Sequence, residues 1–395
     1  MKKVLLFLGV CLTIILLNPV YAKVFWWDFS WSYRQPIYIS NTAGNLTNYQ
    51  VRIDLNSSNV GSNFDWSNNG NDIRFTNSTN DLLYFWIEYW NATEEKAIIW
   101  VNVTYLPNNT NTTIYMYYGN PVADSISDIN STFISVINNL SLKASWHFDE
   151  NAGNIVYDTS GNNNDGTIYG ANWTTGKYGS GLEFDGTNDY ISVPDDSSLD
   201  ITDEITIEAW FNCHNATTNY WARTIIRKQF NYVIAVKDSG NGPYVKFYLW
   251  GEEYNSGSLI SGFFSLNEWV HIVATYNKSK MKVYLNGELS KTKDYDDTLR
   301  VSSYNVEIAY HRGDSYWFDG LIDEVRIYNR ALNSSEISTL YNNYGYTTEN
   351  YSGSVLVKKY ADPQPSVSNI GEEEQPSLAK IKRSFLYPIR SFVYC

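Results

Sequence analysis

Short alternating runs broken by clusters of Asn, Ser and Gly recur along this chain, and that rhythm leaves little room for helices. Strand runs are expected at 37–40, 49–55, 72–76, 82–89, 97–103 and 113–118. Between them lie segments such as NSSNVGSNFDWSNNGND, whose residues favour turns because Asn and Asp bond their own backbone and Gly accepts positive φ. Six such runs with no helical period predict an antiparallel sandwich. The high aromatic share of 16%, with only 18% charged residues, suits half-buried pleated surfaces.

A connector of low hydropathy at 121–142 leads into a second strand-rich block, 143–346. There ITIEAWF, EWVHIVATY and KMKVYLNGELSK read as strands. Asn286-Gly287 marks a tight hairpin in which both residues need φ > 0. One helix is predicted over 333–341, where Asn333 and Glu336 form a capping box ahead of Ile337, Leu340 and Tyr341. Residues 347–395 read as one strand, SVLVKKYA, then a Pro/Glu-rich linker without a core and a basic, aromatic tail.

The first residues read as a targeting segment. Lys2 and Lys3 precede an apolar run to Leu17, Asn18-Pro19 break it, and Val20-Tyr21-Ala22 suits peptidase cleavage. The run is shorter than the about 20 residues that span a bilayer, so 1–22 are expected to be a removed signal peptide. The mature chain, from 23, is then expected outside the cell or on its surface, with no membrane span. Removing Lys2 and Lys3 takes the formal charge from −13 to −15, which argues against nucleic acid as a partner. Cys213 and Cys395 alone make no disulfide framework. Sequons mark Asn45, Asn56, Asn77, Asn108, Asn111 and Asn215 as glycosylation candidates.

FDGTNDYISV at 184–193 and FDGLIDEVRIYN at 318–329 repeat one phrase, and WHFDENAGNIVYDTSGNNNDGTIYG precedes both. With TIEAWF, WVHIVATY, VYLNGEL and ALNSSEISTLY in this order, residues 142–346 closely resemble the laminin-G-like, concanavalin-A-like jelly-roll family. The resemblance implies two curved antiparallel sheets with first and last strands side by side. WSYRQPIYISN, YQVRIDL, NDIRFT, FWIEYW and YMYYGN make 31–120 similar to a domain of unassigned function found ahead of such jelly rolls in surface proteins. The fold class expected is all-β, with a sandwich over 23–120 and a jelly roll over 143–346.

Asp323 and Glu324 pose the chemical question. Successive strand residues point to opposite faces, so the two are not expected to line one cleft. Paired glycosidase acids must instead face each other across roughly 5 to 9.5 Å. Asp323 is expected on the core-facing side with Val325 and Ile327, and Glu324 and Arg326 on a solvated face. Asp158, Asn162 and Asn164 lie on an oxygen-rich, Gly-bounded loop, and the family resemblance implies that calcium ties this loop to Asp323. The alternative is a network of Asx turns without metal.

No Gly-X-Ser-X-Gly, HEXXH or phosphate-cradling loop occurs, the histidines show no metal spacing, and Cys213 reads as an idle thiol. Trp146, Trp210 and Trp269 read as core. Tyr220, Trp221, Trp250, Tyr254, Tyr310, Tyr316 and Trp317 lie in or beside polar loops, and all but Tyr310 are taken as candidates for ligand contact. The functional expectation is non-enzymatic recognition of a glycan or cell-surface protein, with structural calcium. The alternatives are a glycosylated structural envelope component and, third, a polysaccharide-cleaving enzyme.

Overall fold

The computed structural model describes residues 26–137, 140–217, 223–252, 256–310 and 317–376. The proposed signal peptide and the basic tail lie outside these residues, as do Tyr220, Trp221, Tyr254 and Tyr316. No helix among the described residues is long and apolar enough to cross a membrane.

The N-terminal sandwich packs the sheet Leu46–Asn56, Lys96–Leu106, Phe85–Asn91 against a second built on Tyr33–Asn41 and Thr110–Tyr118. Alternate residues such as Ile37, Ile39, Val51, Ile53, Ile99 and Val101 fill its core. The 82–89 run is divided: Leu82–Leu83 pairs in one sheet and Phe85–Asn91 in the other.

The jelly roll follows. One sheet runs Asn172–Thr175, Ser180–Asp185, Asp319–Tyr328, Glu204–Cys213, Trp269–Asn277, Lys280–Leu285, Glu288–Asp294. Leu142–Trp146 pairs with Asp319–Tyr328, so first and last strands do lie side by side. Asn286 and Gly287 take φ of 50° and 79° in the expected hairpin. The other sheet runs Ile155–Val156, Gly166–Tyr169, Tyr190–Val193, Val306–Ile308, Arg223–Lys228, Tyr232–Asp238, Pro243–Trp250, Ser256–Phe263. The capped helix forms at Ser334–Asn342, with both capping-box bonds made.

The expected connector and linker turn out to be structural. Ser135–Ile137, Val355–Lys358 and Tyr344–Tyr346 form a small sheet between the two sandwiches. Its alternation is apolar on both faces. Val355, Val357 and Ile137 pack on Val273, Tyr284 and Tyr328 of the jelly roll. Leu356 and Val136 instead pack with Trp100, Phe133 and Trp86 on the N-terminal side. Glu88 ties the seam, accepting from Trp100 Nε1 (2.6 Å), Thr348 Oγ1 (2.6 Å) and Asn350 Nδ2 (3.0 Å).

The Pro/Glu-rich segment corrects the linker expectation most plainly. Ser366–Ile370 pairs with Tyr33–Asn41 at the edge of the N-terminal sheet. Beyond it Glu374 bridges the buried Arg34 at 2.6 Å, and Glu373 accepts from Tyr118 Oη at 2.7 Å. Backbone pairing, charge-assisted bonds and the packing of Val367 and Ile370 against the N-terminal core hold it.

Candidate functional site

The two sheets of the jelly roll differ in what covers their outer faces. The sheet containing Asp319–Tyr328 carries the middle sheet and the helix on its outside. The other bears an alternating row of partly exposed side chains, as in Pro243–Trp250, where Lys246, Tyr248 and Trp250 point away from buried Val245, Phe247 and Leu249.

The covered face contains the Asp323–Glu324 pair, and the structure corrects its expected geometry. Trp210 pairs with Asp323 and Glu208 with Arg326, so Asp319–Tyr328 carries one extra residue there. Glu324 absorbs it at φ 53°. Parity is thereby reset: Ile322, Val325 and Ile327 enter the core, while Asp323 sits on the outer face beside its partner Trp210. That outer face is not solvated, since Asp323, Glu324 and Arg326 are all buried beneath the middle sheet.

There Arg326 donates to Glu208 at 3.2 Å, to Glu324 and to the Gly345 carbonyl at 2.6 Å. Tyr328 Oη donates to Glu208 at 2.9 Å, and His271 Nε2 lies 3.1 Å from the same residue. His147 Nδ1 lies 2.9 Å from Glu324. Despite burial, Arg326, His271 and Tyr328 hold Glu208 below the usual glutamate value. Burial and the neighbouring Glu324 push Asp323 well above the aspartate value. This is a packed ionic seam whose acids Glu208, Asp323 and Glu324 are buried.

Partial desolvation, followed by Glu324, pushes Asp149 up to about 6, although the residue is exposed and solvent screening reduces what this shift contributes to stability. Asp149 and Asp323 therefore bind a proton more tightly folded than unfolded. Both contributions are complete in acid; that of Asp149 declines as pH rises through about 6, and that of Asp323 declines as pH rises through its own raised value. A thermal melting series should give a higher midpoint at pH 5 than at pH 7.5, with the difference reduced in Asp149→Asn. Glu208, whose value is lowered, opposes the trend only as pH falls through the usual glutamate range.

The four residues expected to hold calcium do not form one cage. Asp158 Oδ1 accepts from Ser145 N and Ser160 N, both at 2.9 Å. Its Oδ2 accepts from Ser160 Oγ at 2.8 Å and Asn164 N at 3.0 Å. Asn162 and Asn164 turn their amide nitrogens to the Lys143 carbonyl at 3.2 and 2.8 Å. Asp323 stands apart, accepting from Lys177 N and Tyr178 N at 2.8 and 3.0 Å. N–H groups meet these carboxylates where a cation requires oxygens. No group of three or more His, Cys, Asp or Glu suited to a metal occurs among the described residues. The Asp158 loop is held by Asx-type bonds from Ser145, Ser160 and Asn164.

Trp146 is core, whereas Trp210 is buried on the covered face against His271 and Tyr341, and Trp269 is only partly buried. Cys213 is buried, which pushes its thiol up to about 12 and leaves it inert at neutral pH. The six glycosylation candidates are all exposed or half-exposed.

The open face holds what sequence only half identified. Tyr169 and Tyr190, on neighbouring strands, stack 4.5 Å apart with planes 9° from parallel. Tyr310 lies 5.2 Å from Tyr190, and Trp317 lies 4.7 Å from Tyr310. Arg227 approaches the Tyr310 ring at 5.1 Å while donating to Glu307 at 2.7 Å. A second group has Tyr248 and Trp250 stacked at 5.8 Å with Lys246 over Tyr248 at 4.1 Å. Rings beside fixed polar groups suit a ligand with both apolar and hydroxyl faces. Trp250 and Trp317 were named from the sequence. Tyr169, Tyr190, Tyr248 and the Arg227–Glu307 pair were not, although alternation about Ile168, Ile191 and Phe247 would have placed the tyrosines opposite the core.

Residues 185–338 match the family model of the concanavalin A-like lectin/glucanases superfamily, and residues 69–175 that of a domain of unknown function, DUF2341. Mosquitocidal protein 1 of Paraclostridium bifermentans is 34% identical over 94 residues, which are 22% of this chain and 7% of that protein. The chain thus spans a small fraction of that relative. Among solved structures, the binding domain of that protein has a TM-score of 0.43 at 19% identity, covering 52% of this chain and 53% of that one. Domain 4 of AbnA, a GH43 extracellular arabinanase from Geobacillus stearothermophilus in complex with arabinotriose, has 0.42 at 22%, covering 51% and 98%. The ligand binding domain of botulinum neurotoxin serotype D in complex with N-acetylneuraminic acid has 0.43 at 20%, covering 55% of each. Over 185–338 this chain carries a jelly roll of the concanavalin A-like lectin/glucanases superfamily, preceded by a domain of unknown function.

Proposed function

We propose that this chain is a non-enzymatic recognition protein, secreted or held at a cell surface, whose jelly roll binds glycan on its open aromatic face. The observation that carries the reading is the contrast between the two outer faces. One is covered and welded by an ionic seam; the other presents Tyr169, Tyr190, Tyr310 and Trp317 beside Arg227 and Glu307. Partly exposed rings gathered on one face of a sandwich suit an interaction surface. A glycan array probed with the full chain tests it: discrete hits are expected, and an empty array would remove the glycan ligand.

A structural role in an envelope is the second reading, favoured by the middle sheet that welds both sandwiches. Self-association together with an empty array would select it. Calcium stands as a proposal at the loop of Asp158, Asn162 and Asn164. A melting temperature raised by calcium and restored by chelator would support it, and identical melts would remove it.

A further inference from the structure

A second concavity lies away from the aromatic face, where Asp149 and Asn151 meet the hairpin between Asn172–Thr175 and Ser180–Asp185. Its volume is about 570 Å³, within the roughly 300–1,000 Å³ of small-ligand clefts. Thr174, Thr175, Gly179 and Ser180 complete the wall, so every lining side chain is small and polar. The floor is fixed. Gly176 N donates to Gly179 O at 3.1 Å, Gly179 N to Tyr360 Oη at 2.7 Å, and Ser180 Oγ to the Phe148 carbonyl at 2.7 Å. Only glycine fits at 179, where a Cβ would sit 2.1 Å from Asp149 Oδ1.

Asp149 is the one charged group in this wall. It accepts a hydrogen bond from Ser180 N at 3.0 Å and makes no ion pair among the described residues. The groups around it are mainly acidic. Desolvation is the largest cause raising its proton affinity, with Glu324 and Glu150 behind it, while the bond from Ser180 N and the neighbouring His147 lower it. Asp323, Tyr344, Tyr360 and Lys358 also feel its charge. The Lys358 ammonium is turned elsewhere, donating to Gln364 at 3.1 Å among the rings of Tyr49, Trp100 and Tyr344. A carboxylate held among like charges attracts any small cation that reaches it, not the proton alone.

We infer that this cleft binds a protonated amino sugar, its ammonium on the Asp149 carboxylate and its ring hydroxyls on Thr174, Thr175, Ser180 and Asn151. The inference rests on the glycan reading but uses a different surface. Recognition needs Asp149 ionised and the amine protonated, so binding passes through a maximum in pH and falls on the acid side as Asp149 takes its proton at about 6.

The test is calorimetric titration of the full chain with a glucosamine tetramer and with its fully N-acetylated counterpart. Near pH 6.8 the free-amine tetramer should bind at least about tenfold more tightly than the acetylated one. Asp149→Asn should remove that preference, Val122→Ala at an exposed position should preserve it, and circular dichroism checks that both variants fold. Equal binding of the two tetramers, no binding of either, or a preference unchanged in Asp149→Asn would overturn the inference. If Trp250→Ala alone abolishes binding, the ligand sits on the aromatic face and the cleft assignment is likewise overturned. Discrete array hits of uncharged glycans would then leave the open-face reading standing without this one.

Discussion

Leu356→Asp is expected to abolish cooperative folding of the full chain. Leu356 is fully buried in the middle sheet, packed with Trp100 and Phe133, while its neighbours Val355 and Val357 face the jelly roll. Removing a buried leucine side chain costs about 2–5 kcal/mol, and an unpaired carboxylate in its place adds a desolvation penalty. That approaches the whole stability of a domain, about 5–15 kcal/mol. Leu356→Ala is the graded version. Because the middle sheet serves both sandwiches, its urea transition should move as a whole, by about 2–5 kcal/mol. A variant in which one sandwich melts early and the other is unchanged would show that the sheet belongs to only one of them.

Arg326→Ala should be nearly as damaging, by another mechanism. The guanidinium is buried and is the shared partner of Glu208 and Glu324. Burial by itself would lower its pKa, yet the two glutamates raise it above the arginine value, so the charge is held firmly. Removing it strands two carboxylates and the Gly345 carbonyl beneath the middle sheet, at a cost of about 3–5 kcal/mol. The sign of the pH response gives a second check. Without Arg326 both glutamates should shift upward, so the variant should regain stability as pH falls from 7 to 5. A loss below about 1 kcal/mol in equilibrium unfolding, or no recovery in acid, would mean that the seam is open to water.

What sequence could and could not foresee follows from the range of the signals involved. The Asn286-Gly287 hairpin and the Asn333–Glu336 capping box depend on residues close in the chain, and both form as expected. The jelly roll was legible through many phrases in order. The Asp323–Glu324 geometry was not, because strict alternation fails where Glu324 takes positive φ, and no local residue preference announces that bulge. SVSNIGEEEQP read as a linker because Val367 and Ile370 are its only apolar residues, yet its partners, Tyr33–Asn41 and Arg34, lie at the far end of the chain. Val355–Lys358 was expected as a strand, but that both its faces would be buried depends on two separate domains meeting there. At the site, loop position identified Trp250 and Trp317, while Tyr169 and Tyr190 became conspicuous only when their strands lay side by side.

The open face and the covered face should also respond differently to mutation. Variants beneath the middle sheet change stability; those on the aromatic row should leave melting within about 0.5 kcal/mol, as exposed positions usually do. The measurement closest to the central claim is therefore a binding titration of the full chain with its strongest array glycan, repeated with Trp250→Ala and with Tyr190→Ala/Trp317→Ala. The account predicts unchanged melting and an affinity loss of at least about tenfold, or about 1.4 kcal/mol, in one or both variants. Undiminished affinity in both, with the fold intact, would contradict it.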